Sequence, residues 1–103
     1  SDIIIRGGKN LSAPAIEAEV AEHPAIAVAA VVAMPDEVFG ERVCLYAELR
    51  PDTTLDLDDV VRYLGERGVS REWFPERLVV LDALPRASGG KVAKGELRAR
   101  EGT

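Results

Sequence analysis

The sequence predicts an α+β domain: a small, mostly antiparallel sheet with an N-terminal β-hairpin and helices packed on it. Three observations predict it. Short β-branched or apolar runs recur at residues 3–6, 25–34, 43–49 and 78–81. Two segments of helical apolar spacing separate them, and a helix-prone stretch, 94–100, follows the last. Glycine or proline punctuates most of the junctions. With 103 residues, 47% of them hydrophobic and 30% charged, the chain can build one globular domain with a modest core. Aromatics are sparse, so that core falls to Val, Ile, Leu and Ala.

Ile3-Ile4-Ile5-Arg6 runs directly into Gly7-Gly8, and Lys9-Asn10-Leu11 can return as the second arm of a tight hairpin. The glycines supply the positive φ angles such a turn needs, and a bare tip lets a ligand or another backbone come close. Ser12 is placed to cap a helix with Pro14 in its first turn. Ile16 and Val20 share one face of it, Glu17, Glu19 and Glu22 keep the rest wet, and Pro24 is expected to end it. His23, the one histidine, has no second ligand at metal spacing and reads as structural.

The unbroken apolar run 25–34 predicts a central strand covered on both faces. A polar connection, 35–42, leads to 43–49, where Val43, Leu45 and Ala47 alternate with Cys44, Tyr46 and Glu48; the two runs are expected to pair antiparallel. Asp36, Glu37 and Glu41 lack the alternating carboxylates of a calcium loop, so no metal site is expected. Asp56 caps a helix whose Leu57, Val60, Val61 and Leu64 form one buried stripe, and Gly68 stops it. Trp73 and Phe74 are expected to seal the edge of the core before the last strand, 78–81.

That strand runs into Leu84-Pro85-Arg86-Ala87-Ser88-Gly89-Gly90-Lys91. Pro85 offers no N–H to a ladder, and the small residues and paired glycines leave the backbone little steric restraint. The loop presents one lysine, Lys91, just before the final helix. By itself it reads either as a surface turn with a solvated lysine or as a cation held out to an anionic partner.

A net charge of −5 argues against broad nucleic-acid binding. The longest apolar run is too short to cross a bilayer as a helix. No charged-then-apolar leader opens the sequence, and the lone Cys44 fits a buried thiol in a reducing compartment, so a cytoplasmic location is expected. No nucleophile–histidine pair, zinc ligand set or phosphate loop is present; Gly89-Gly90-Lys91-Val92 lacks the upstream glycine and the following hydroxyl. Either the chain is a non-catalytic module, such as a small α+β regulatory domain that binds a metabolite, or it lends residues to a site completed elsewhere.

Four segments favour the second. They are Asp2-Ile3-Ile4-Ile5-Arg6-Gly7-Gly8-Lys9-Asn10 with Ile16-Glu17; His23-Pro24; Met34-Pro35-Asp36-Glu37 with Gly40-Glu41; and Leu84-Pro85-Arg86 through Gly90-Lys91 with Leu97-Arg98. In order and across essentially the whole length, they resemble the C-terminal domain of the adenylate-forming acyl-CoA synthetases. That superfamily comprises acyl- and aryl-CoA ligases, luciferases and peptide-synthetase adenylation domains.

The resemblance implies that residues 1–103 are the mobile lid of a larger ATP-dependent acid–CoA ligase. The N-terminal adenylation domain, which would bind ATP, its Mg2+ and the carboxylic acid, has no counterpart here, so the isolated chain is expected to be inactive. Lys91 would reach the carboxylate and the α-phosphate during adenylation. The lid would then rotate and bring Gly7 and Gly8 beside the channel through which CoA delivers its thiol, with Arg6 and Lys9 near the CoA phosphates. A carrier protein's phosphopantetheine is the alternative acceptor, although Gly7-Gly8-Lys9-Asn10 looks more like the CoA ligases. Two residues depart from the family pattern: Ala87 stands where Thr is frequent, and Lys9 where Glu is commoner. The hinge position falls at Ser1 or immediately upstream.

Overall fold

A hairpin tip that needs two left-handed residues is the first feature the chain builds. The computed structural model describes residues 2–101; Ser1, with the hinge position, lies outside them. Strands β1 (Ile3–Arg6) and β2 (Lys9–Ser12) pair in the register Ile4↔Leu11 and Arg6↔Lys9. Gly7 and Gly8 fill the two-residue turn at φ 56° and 81°. Ile4 and Leu11 lie opposite each other and are buried together.

Ser12 accepts a hydrogen bond from the Ala15 N–H (3.2 Å) and starts helix α1 (Ala13–Val20), which buries Ala13, Ile16 and Val20. The helix stops at Val20, short of the expected end at Pro24. The residue before a proline resists the helical conformation. The chain leaves the helix before that residue, through turns in which His23 N–H donates to Val20 C=O (3.0 Å) and Ala25 N–H donates to His23 Nδ1 (3.0 Å).

Strands β3 (Ile26–Asp36) and β4 (Gly40–Leu49) form one long antiparallel hairpin, in register from Val28↔Glu48 to Asp36↔Gly40. The sheet order is β2-β1-β4-β3, and β5 (Arg77–Val80) lies parallel to β4, from Cys44↔Arg77 to Ala47↔Val80. The central strand is thus β4, and β3 lies at the sheet's edge, which corrects the expectation for residues 25–34. The apolar run has a different cause. Val31 joins Ile16 and Val20 of α1 on one face of the sheet, while Ala30 and Val32 join Leu97 on the other. Helices on both faces make an edge strand look central in sequence.

Helix α2 (Leu57–Glu66) crosses over between β4 and β5, which lets those two strands run parallel. Its ends are closed on both sides. Asp59 N–H donates to the Asp56 carboxylate (2.8 Å) and Asp56 N–H to that of Asp59 (3.0 Å), a reciprocal cap. At the other end Gly68 takes φ 78°, and the Gly68 and Val69 N–H groups donate to Gly65 and Leu64 C=O (3.1 and 3.0 Å). Val60 and Leu64 are buried, and Trp73 and Phe74 pack against the same cluster, as expected.

Helix α3 (Lys94–Glu101) covers the opposite face, with Leu97 fully buried beside Cys44, Tyr46 and Leu84. Tyr46 hydroxyl donates to the Glu101 carboxylate, and Arg77 pairs with Glu101 at 3.1 Å. Burial pushes the Cys44 thiol up to about 12, so it stays protonated and unreactive at neutral pH. Burial and the bond to Glu101 likewise raise the Tyr46 phenol.

Leu64→Ala is expected to cost about 2–5 kcal/mol in urea denaturation, since it empties a fully buried position. Asp36 gives a pH signature. Its carboxylate accepts from Phe39 N–H (2.6 Å) and Val38 N–H (3.0 Å) and pairs with Arg42 (2.7 Å), which holds it below the ordinary carboxylate range. The charged form is favoured in the folded state, so its contribution is present at neutral pH and fades as pH falls through the folded value. Urea titrations across pH should show Asp36→Asn less stable than wild type at pH 7, with the gap closing below about pH 4.

Candidate functional site

The predicted site residues sort into two groups at opposite ends of β4. Gly7 N–H donates to Phe39 C=O (2.9 Å), and Arg6 pairs with Gly40, so the hairpin tip sits at the start of β4. Leu84 N–H donates to the Glu48 carboxylate (2.7 Å), so the Lys91 loop springs from its end. Between Gly40 and Glu48 an extended strand covers roughly 27 Å, at about 3.4 Å per residue. The structure therefore brings Arg6, Gly7, Gly8 and Lys9 together and keeps Lys91 apart from them.

At the hairpin end the backbone explains the glycines. Both lie at positive φ, and a Cβ added to Gly8 would meet nothing within 4 Å, while one on Gly7 would lie 3.8 Å from the Phe39 ring. Conformation, not lack of space inside this domain, requires glycine here. The flanking cations are already engaged. Arg6 pairs with Glu76 at 2.6 Å and stacks over Phe39 at 4.6 Å, and the Glu76 bond raises its guanidinium above its already high value. Lys9, largely exposed, pairs with Glu72 at 2.7 Å. Arg42 comes within 3.6 Å of Glu76 and flanks the same Phe39 ring. Phe39, Glu72 and Glu76 were not singled out in the sequence, because partners 33 to 70 positions away leave no local pattern.

At the other end the loop is fastened rather than slack. Arg86 and Val92 form an antiparallel bridge, Ala87 N–H donates to Lys91 C=O (2.7 Å), and Ala93 N–H donates to Pro85 C=O (2.8 Å). Gly89 and Gly90, at φ 85° and 83°, turn the tip within a short 3₁₀ segment, Ser88–Gly90. Val92 packs toward the core cluster of Leu84 and Leu97. Lys91, its extended neighbour, is exposed, and among the described residues its ammonium has no side-chain partner. Steric freedom in the sequence thus becomes a turn held by hydrogen bonds, with one cation outside it.

Among the described residues no group of three or more His, Cys, Asp or Glu side chains could hold a metal ion, and no helix is long and apolar enough to cross a membrane. A shallow cavity of ≈ 280 Å³ between Glu19, Arg67, Val69 and Trp73 includes none of the predicted site residues.

Known proteins share this architecture. The family model for the AMP-binding enzyme C-terminal domain matches residues 15–91. The medium-chain fatty-acid–CoA ligase of Escherichia coli K12 is 44% identical over 94% of this chain, and the vibriobactin-specific 2,3-dihydroxybenzoate-AMP ligase of Vibrio cholerae is 35% identical over 96%. The chain spans only 17% and 18% of those relatives' lengths. Apo MbtA of Mycobacterium smegmatis matches with a TM-score of 0.90 at 34% identity, covering 96% of this chain and 19% of that one. Apo MatB of Rhodopseudomonas palustris matches with a TM-score of 0.90 at 31% identity, covering 97% and 20%. Sequence and fold agree over nearly the whole chain, and it belongs to the AMP-binding enzyme C-terminal domain family of the adenylate-forming ligases.

Proposed function

We propose that this chain is the moving C-terminal domain of an ATP-dependent acid–CoA ligase. Such an enzyme first joins a carboxylate to ATP, releasing pyrophosphate, and then passes the acyl group of the adenylate to the CoA thiol, releasing AMP. The observation that carries the reading is the separation of Lys91 from Gly7-Gly8 along β4. A rigid domain with two working ends can present only one of them to a single active site at a time. Rotation then becomes the way to run two reactions in sequence.

In the first reaction Lys91 supplies positive charge where the attacking carboxylate and the α-phosphate concentrate negative charge. A compact ammonium on a long stem suits a group that must enter and leave. ATP would bring its own Mg2+, held mainly by the N-terminal domain. In the second reaction the Gly7-Gly8 tip forms part of the wall of the thiol's channel, where absence of side chains is the requirement. Arg6 and Lys9 are held by Glu76 and Glu72, so contact with CoA phosphates would draw on ion pairs already made. The relative named as a fatty-acid–CoA ligase favours CoA as the acceptor. The relative named as a 2,3-dihydroxybenzoate-AMP ligase leaves a carrier protein as the second reading, which assays with each acceptor separate.

In the full-length ligase, Lys91→Ala should lower pyrophosphate exchange by about 10²–10³-fold, the cost of losing one transition-state donor. Thioester formation from a supplied acyl-adenylate should survive. Equal loss of both steps would defeat the division of labour. Gly8→Asn provides the mirror test: Asn tolerates the left-handed backbone, so the domain keeps its fold, but a side chain enters the channel. Thioester formation should fall several-fold more than pyrophosphate exchange, measured on the same preparation.

A further inference from the structure

The Lys91 loop has a support that motif patterns do not reveal. Glu48, on the central strand, accepts from the Leu84 N–H at 2.7 Å and lies 3.4 Å from Arg86 Nη2. The same guanidinium donates from Nη1 to the Gly90 C=O at 3.1 Å. Gly90 immediately precedes Lys91. A continuous chain of contacts therefore runs from β4 through Glu48 and Arg86 to the peptide that launches the lysine.

We propose that Arg86, held by Glu48, is a positioning residue that fixes the Gly90–Lys91 peptide and thereby aims the Lys91 ammonium; the inference rests on the adenylation role given to Lys91 above. The physical need is specific. Gly89 and Gly90 carry no Cβ, and one built on either would meet nothing within 4 Å, so hydrogen bonds and not packing confine the tip. Without those bonds the freedom of two glycines would spread the lysine over many directions. Electrostatic stabilisation works only when the charge is already in place as the transition state forms. A planar guanidinium can hold a carboxylate on one nitrogen and a carbonyl on the other at fixed separation, which a lysine ammonium on a flexible stem cannot reproduce. Glu48 also neutralises Arg86, so Lys91 is the one cation of this loop without an acidic partner among the described residues.

Arg86→Lys in the full-length ligase tests this by preserving charge and removing the fork. Pyrophosphate exchange is expected to fall about 10- to 100-fold in kcat, the penalty for a misplaced reacting group, with KM for ATP unchanged. Hydrogen exchange at the Ala87 and Ala93 amides should accelerate, while thioester formation from supplied acyl-adenylate and Tm stay as in wild type. A raised KM for ATP with unchanged kcat would make Arg86 a substrate contact and overturn the proposal. Unchanged amide exchange would overturn it as well, because no brace would have been lost. Lys91→Ala, run in parallel, reads the underlying assignment separately: undiminished pyrophosphate exchange in that variant removes the role of Lys91 itself, whatever Arg86→Lys does to the loop.

Discussion

Burial of β4 on both faces is the constraint from which the domain takes its form. Val43, Leu45 and Ala47 face one cluster, with α1 and α2; Cys44 and Tyr46 face the other, with α3. A strand buried on both sides cannot shift register without driving a whole row of side chains into the wrong layer. It is therefore a fixed axis, and both candidate sites are tied to its ends: the hairpin tip beside Gly40 and the lysine loop beside Glu48. Rigidity between those ends fixes the separation of the two candidate sites.

Polar contacts add direction to this frame. Glu76 holds Arg6 and lies near Arg42 at the hairpin end, and Glu48 gathers Leu84 and Arg86 at the loop end. In each case a carboxylate on or beside the sheet engages a cation, and Glu48 also holds the Leu84 N–H. Lys91 stands outside this pattern. Its neighbours are neutralised and its own charge is left available, which is what an anionic reaction partner requires.

Much of this was legible in the sequence, and the reasons are local. Gly7-Gly8 between β-prone runs specifies a two-residue turn; Asp56 with the stripe Val60–Leu64 specifies a capped, one-sided helix; Gly68 specifies its stop. The rank of the strands was not legible. An apolar run such as 25–34 arises from burial on both faces, and helices can provide that burial at an edge as well as neighbouring strands can at a centre. The early end of α1 depended on turns around His23 that proline alone does not dictate. Glu48 and Glu76 escaped because an isolated glutamate gives no sign that its partner lies 36 or 70 residues away. Resemblance to a family identified Lys91; only folding revealed what holds its loop.

The outer border of β3 has a consequence for how this domain behaves in a crowded solution. Glu17 accepts the outward-facing Val31 N–H at 2.8 Å, Lys94 reaches across from α3 to the same carboxylate, and Pro35, four residues further on, has no N–H to offer. An eleven-residue strand left bare along that border would be a template for another chain to add to. Here the row of donors is interrupted and capped by an ion pair that links the two helical layers around the sheet. The domain is thereby protected from pairing, strand to strand, with its own copies.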